Sequence, residues 1–176
     1  ALAAYQCLIS QGYDPSSIVI AGDSAGGGLA IAMLISLRYD GLPLPACAVC
    51  LSPWLNLSHT GEKSNNNKDP FLNPALLSLY ARYYVGEGDA TNPLVSPSFA
   101  DLRGLPPLLI QVGTNEILLE EIQQFCEKAR QANVEVSLDC WQGMFHVFQI
   151  IPILPETKLS LEKIATFISN KISPYS

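Results

Sequence analysis

The stretch Ser17-Ile18-Val19-Ile20-Ala21-Gly22-Asp23-Ser24-Ala25-Gly26-Gly27-Gly28-Leu29-Ala30 sets a serine among small residues, where a short apolar run gives way to a longer one. Residues 18–21 are apolar and mostly β-branched, as in a parallel strand covered on both faces, and residues 29–37 form an apolar helical run with no breaker. Between them lies G-x-S-x-G, the spacing of a nucleophile elbow. So tight a turn strains the serine backbone, and side chains two residues to either side are expected to collide, so Gly22 and Gly26 read as relieving those collisions. The turn lifts the Ser24 hydroxyl clear of the sheet and aims the unpaired N–H groups of the following helix at any negative charge that forms beside it. The implied chemistry is acyl transfer. A dinucleotide or phosphate loop is the competing reading, but Gly22-Asp23-Ser24 lacks the second glycine of G-x-G-x-x-G and no lysine follows for a Walker loop.

A chain of 176 residues suits one domain, residues 1–176, with a substantial core. Charged residues make up 15%, below the roughly 25% usual in soluble domains, so much of the chain expects to be covered. The net charge of −6, with no basic cluster, argues against nucleic acid and anionic membrane surfaces and favours small neutral substrates. No apolar run reaches membrane-helix length, and Ala1-Leu2-Ala3-Ala4-Tyr5-Gln6 carries no basic n-region, so the expectation is a soluble, cytoplasmic protein. Five cysteines, an odd number, speak against a disulfide framework. Cys47-Ala48-Val49-Cys50 has C-x-x-C spacing, yet inside an apolar strand residues three apart point to opposite faces, which favours buried free thiols over a redox or zinc pair.

Gly41-Leu42-Pro43-Leu44-Pro45 breaks the chain before a second strand at residues 46–51, which Ser52-Pro53 ends. Residues 54–97 read as irregular, with an exposed polar loop at Ser64-Asn65-Asn66-Asn67-Lys68 and one capped helix at 74–84. A third strand is expected at 108–112, an amphipathic helix at 119–132, a fourth strand at 134–138 and a closing helix at 160–171. Strands separated by helices call for an α/β fold with a mostly parallel sheet and helices on both faces, whose ligands bind beyond the carboxyl ends of the strands. Ser24 follows the first strand, Glu116 the third and His146 the fourth. A nucleophile, an acid and a base therefore share one sheet edge, in the chain order of α/β-hydrolases.

On these residues the chain resembles the hormone-sensitive-lipase-like, or GDxG, family of α/β-hydrolase esterases, almost from end to end. Gly22-Asp23-Ser24-Ala25-Gly26-Gly27 is similar to the nucleophile motif of that family, and Leu51-Ser52-Pro53-Trp54 to its segment after the next strand. Ser96-Pro97, Asp101-Leu102 and Gly104-Leu105-Pro106-Pro107 resemble its approach to the acid-bearing strand, and Gly143-Met144-Phe145-His146-Val147-Phe148 its histidine loop. The resemblance implies Ser24 as nucleophile, His146 as general base and Glu116 as orienting acid. The family acid is usually Asp; aligning Pro106-Pro107-Leu108-Leu109 and Ile117-Leu118 brings Glu116 to its position, while some relatives have Asp where Asn115 stands. Glu120 and Glu121, one helical turn further on, stay open as alternatives, as does a reading of Glu116 as a helix N-terminal carboxylate favoured by the dipole. The other histidine, His59, lies in the polar irregular region. Asp23, beside Ser24 on the turn, is expected to point away from it and to partner the loops.

Family members carry further strands upstream of the elbow, and a His-Gly-Gly motif that supplies most of the oxyanion hole. Residues 1–11 resemble the helix just before the nucleophile strand, so the chain reads as the C-terminal portion of such a protein, lacking its N-terminal third. The implied function is a serine carboxylesterase or lipase-like hydrolase of short or medium acyl esters, with the Ala25 N–H binding part of the oxyanion and no metal or organic cofactor. The implied partners are a small-molecule ester and a second copy of the chain paired through the last strand. The alternative is a catalytically impaired fragment or pseudoenzyme acting as a binding module.

Overall fold

In a computed structural model the described residues are 1–58 and 69–172; His59 and the polar run at 64–68 lie outside them. Helix α1 (Leu2–Ser10) leads to strand β1 (Val19–Asp23), helix α2 (Ala25–Tyr39) and strand β2 (Cys47–Leu51). Helix α3 (Pro74–Val85), strand β3 (Leu108–Gly113), helix α4 (Leu119–Gln131), strand β4 (Val136–Trp141) and helix α5 (Pro155–Ser169) follow. The strands form one parallel sheet in the order β1-β2-β3-β4, with Gly22 beside Cys50 and Ile110 beside Leu138.

The two central strands are buried along nearly their whole length, whereas β1 and β4, at the edges, are only partly covered. Alternation sorts the side chains of β3 between the faces. Leu108, Ile110 and Val112 join the main core with Ala48 and Cys50 of β2, Ile31, Leu34 and Ile35 of α2, and Ile122 and Phe125 of α4. Gln111, pointing the other way, exchanges hydrogen bonds with Ser160 of α5: its amide donates to the Ser160 carbonyl and its oxygen accepts from the Ser160 hydroxyl. Helices therefore cover both faces. Truncating Ile31, Leu34 or Ile110, each fully buried, to Ala would cost about 2–5 kcal/mol.

The last strand and the last helix differ most from expectation. The fourth strand runs from Val136 to Trp141 rather than over 134–138. Asn133 takes a left-handed conformation (φ 60°) and Val134 donates to the Ala129 carbonyl, so the buried Val134 closes α4 instead of starting the strand. At the other end the strand continues through Asp139 and the exposed Cys140, which an edge strand tolerates and an apolar pattern hides. The closing helix starts at Pro155 rather than at 160, since proline suits the first helical position and lacks the N–H that would go unpaired there.

Cys47 and Cys50 are buried free thiols. Burial pushes the Cys50 thiol up to about 12 and raises that of Cys47. No described helix is long and apolar enough to cross a membrane.

Candidate active site

Ser24 sits between β1 and α2 with φ 49° and ψ −120°, a conformation that few non-glycine residues adopt. Its backbone is held from both sides: its N–H donates to the Leu51 carbonyl (2.9 Å), and its carbonyl accepts from Trp54 N–H (2.9 Å) and Gly28 N–H (3.2 Å). The glycines divide the steric work differently from the expectation. A β-carbon on Gly22 would stand 2.2 Å from the Gly26 carbonyl oxygen, but one on Gly26 would meet nothing within 4 Å. The further need for glycine falls on Gly27 and Gly28, where a β-carbon would reach Pro53 at 2.8 Å and the Trp54 carbonyl oxygen at 2.2 Å. The first turn of α2 is thus pressed against the segment leaving β2. Ala25 opens that helix, so its N–H has no intrahelical acceptor.

Glu116 lies on the turn after β3 and is fully buried. Its carboxylate does not serve as a cap for α4: Oε1 accepts from the Ser52 hydroxyl (2.7 Å) and from Gly113 N–H, and Oε2 lies 3.1 Å from His146 Nδ1. Nε2 of His146 is 2.9 Å from Ser24 Oγ. The three residues that follow strands one, three and four are therefore linked in one hydrogen-bonded line, with His146 only 9% exposed. The other carboxylates near this edge are engaged elsewhere or open to solvent. Glu120 is exposed, and Glu121 accepts from Leu55 N–H (2.8 Å) and is pushed up to about 8 by burial. Asp23 is exposed and pairs through its backbone at the end of β1, and among the described residues its side chain takes no loop partner.

The histidine loop is fastened to the acid turn. Thr114 N–H donates to Trp141 O, Asn115 N–H to Met144 O, and Gly143 N–H to Thr114 Oγ1. The Asn115 amide also donates to Gly143 O (2.9 Å), which an ionised Asp could not do. The approach to α3 ties in as well: Asp69 accepts from Ile117 N–H (3.2 Å), and the Phe71 ring packs 5.2 Å from that of Phe145, next to His146.

Two features of the site, one hydroxyl and one group of tyrosines, escaped the sequence reading. Ser52, with φ 47°, links the acid to the histidine loop, and only its place in Leu51-Ser52-Pro53-Trp54 pointed toward it. Tyr80, Tyr83 and Tyr84 of α3 line an apolar cavity of about 610 Å³ that opens at Ser24, together with Leu29, Ala32 and Trp54. Such a space is large and apolar enough to hold an uncharged group beside the Ser24 hydroxyl. Among the described residues no group of three or more His, Cys, Asp or Glu is arranged to hold a metal ion.

A family profile described as alpha/beta hydrolase fold matches residues 1–150. An acetyl-hydrolase of Streptomyces hygroscopicus is 43% identical over 171 residues, covering 96% of this chain and 57% of that protein. An esterase of Acinetobacter venetianus is 39% identical over 170 residues, covering 94% of this chain and 56% of the relative. The crystal structure of an esterase from the bacterial hormone-sensitive lipase family superposes with a TM-score of 0.93 at 44% identity, over 98% of this chain and 59% of that one. The chain thus spans a little over half the length of each of these proteins.

Proposed function

Since this chain belongs to the hormone-sensitive-lipase-like family of the α/β-hydrolase fold, we propose that it carries the catalytic residues of a serine carboxylesterase acting on short or medium acyl esters. Ser24 attacks the ester carbonyl, and His146 takes its proton through Nε2 and returns it to the leaving alcohol. Glu116 holds Nδ1 protonated and stabilises the imidazolium, and the Ala25 N–H takes part of the charge that develops on the carbonyl oxygen. Water then releases the acyl group by the same route. The observation that carries this reading is the continuous contact from Ser24 Oγ through both nitrogens of His146 to a fully buried carboxylate. The apolar cavity beside Ser24 supports an acyl or alcohol group without charge.

A fluorophosphonate probe tests it. An adduct on Ser24, lost in Ser24→Ala, is the expected result. A folded chain that forms no adduct would overturn the reading in favour of a binding module.

A further inference from the structure

We propose that Ser52 is a positioning residue for the acid and base, setting the orientation and proton affinity of the Glu116–His146 pair; this rests on the esterase reading above. Three observations converge on its side chain. It is buried, with 1% of its surface exposed. It uses both its proton and a lone pair: Oγ donates to Glu116 Oε1 (2.7 Å) and accepts from Val147 N–H (3.2 Å), the residue directly after His146. Both ends of that second bond are backbone outliers, Ser52 at φ 47° and Val147 at φ 50°.

A left-handed conformation is uncommon for serine and a true outlier for β-branched valine, and it persists only where surrounding contacts over-determine it. The Ser52 backbone is held by its N–H donating to the Gln111 carbonyl (2.7 Å). At that point of the fold the strain would be relieved by glycine, yet a hydroxyl stands there and joins the two strained residues. The turn at Val147 sets the direction in which the His146 side chain leaves the backbone, so the Ser52 bond fixes the imidazole as well as the acid. With Oε1 occupied by Ser52 and Gly113, Oε2 is left turned to Nδ1.

The Ser52 O–H also acts on charge. It stabilises the Glu116 carboxylate most when the imidazole is neutral, and less when imidazolium already compensates that carboxylate. Removing it therefore favours the protonated pair and moves the titration of His146 upward. The other carboxylates at these strand ends are Asp23, Asp69, Glu120 and Glu121, and the strands themselves carry Cys47, Cys50, Asp139 and Cys140, with Asp139 paired to Lys163; none of these hydrogen-bonds the imidazole among the described residues.

Ser52→Ala and Ser52→Gly are compared with wild type by three readouts: fluorophosphonate labelling of Ser24, ester hydrolysis against pH, and NMR titration of the His146 ring. The chain has two histidines, so His59→Gln assigns the signal. Both variants are expected to label and turn over roughly 10- to 100-fold more slowly, at nearly unchanged KM, with the His146 titration and the acid limb shifted upward. Glycine relaxes the backbone, so its failure to restore rate separates loss of the hydroxyl from loss of the turn. Wild-type rates and an unmoved His146 titration in both variants would overturn the proposal while leaving the esterase reading intact. Absence of any Ser24 adduct in wild type overturns that reading instead, and the titration still decides whether Ser52 sets the pair.

Discussion

The α-carbon of Gly113 lies directly against the carbonyl of Met144, so closely that a β-carbon there would stand 2.2 Å from that oxygen and 2.9 Å from Phe145 N. The end of β3 and the histidine loop are packed backbone to backbone, and the Gly113 N–H reaches the Glu116 carboxylate from the same spot. Gly113→Ala must displace the loop carrying His146. It is expected to lower ester turnover by at least about 10²-fold, in line with the cost of misplacing a reacting group. A variant with wild-type turnover and melting temperature would show that the loop can move aside without consequence.

The same geometry separates the glycines of the elbow. Gly22→Ala meets the Gly26 carbonyl and should destabilise the fold by about 1–3 kcal/mol, whereas Gly26→Ala meets open space in a helix and should be neutral or stabilising by up to about 1 kcal/mol. Thermal melts of the two variants check this, and a larger loss for Gly26→Ala would contradict it.

If Ser24 and His146 act as a unit, Ser24→Ala, His146→Ala and the double variant should lose turnover of a p-nitrophenyl short-chain ester to a similar extent. Glu116→Gln keeps the shape and removes the charge, for an expected loss on the order of 10⁴, while exposed Glu120→Gln should stay near wild type. Additive losses in the double variant, or damage from Glu120→Gln, would argue against these roles.

Burial lifts Glu121 to about 8, so the folded chain holds its proton more tightly than the unfolded chain does. Its contribution to stability is fully present below the ordinary carboxylate range near 4.5 and is lost as pH rises toward 8. Glu121→Gln still offers an oxygen to Leu55 N–H but cannot ionise. Urea midpoints between pH 5 and 8 should therefore flatten in the variant, by up to about 1.4 kcal/mol per pH unit. Parallel pH profiles would show that the carboxyl ionises freely in the fold.

Cys7 and Cys140 are exposed, while Cys47, Cys50 and Cys126 are buried, with Cys50 and Cys126 pushed up to about 12 by burial. A thiol reagent should modify two cysteines in the native chain and five after unfolding. Replacing Cys47 and Cys50 together by Ala should leave ester hydrolysis unchanged; a loss would revive the redox reading.

The legible parts of this fold are those where local pattern and burial agree. Strands β2 and β3, covered on both faces, read as apolar runs interrupted only by Gln111, and their observed limits lie within one residue of expectation. At the edge of the sheet that agreement fails, because β4 needs only one buried face and its polar half looks like loop. Local chemistry also suggested the elbow at Ser24, since a serine on so tight a turn demands a small neighbour at Gly22.

The sequence by itself determined the alternation of strands and helices, the buried thiols and the sheet edge at which Ser24, Glu116 and His146 emerge, because periodicity and turn residues act over a few positions. Tertiary structure decided which carboxylate meets the imidazole, as Glu116, Glu120 and Glu121 are chemically alike and within two helical turns of one another. It also decided what Ser52 does, since its partners stand 64 and 95 residues away. Those contacts exist only once parallel pairing has set the ends of β2, β3 and β4 side by side, and no local pattern encodes that distance.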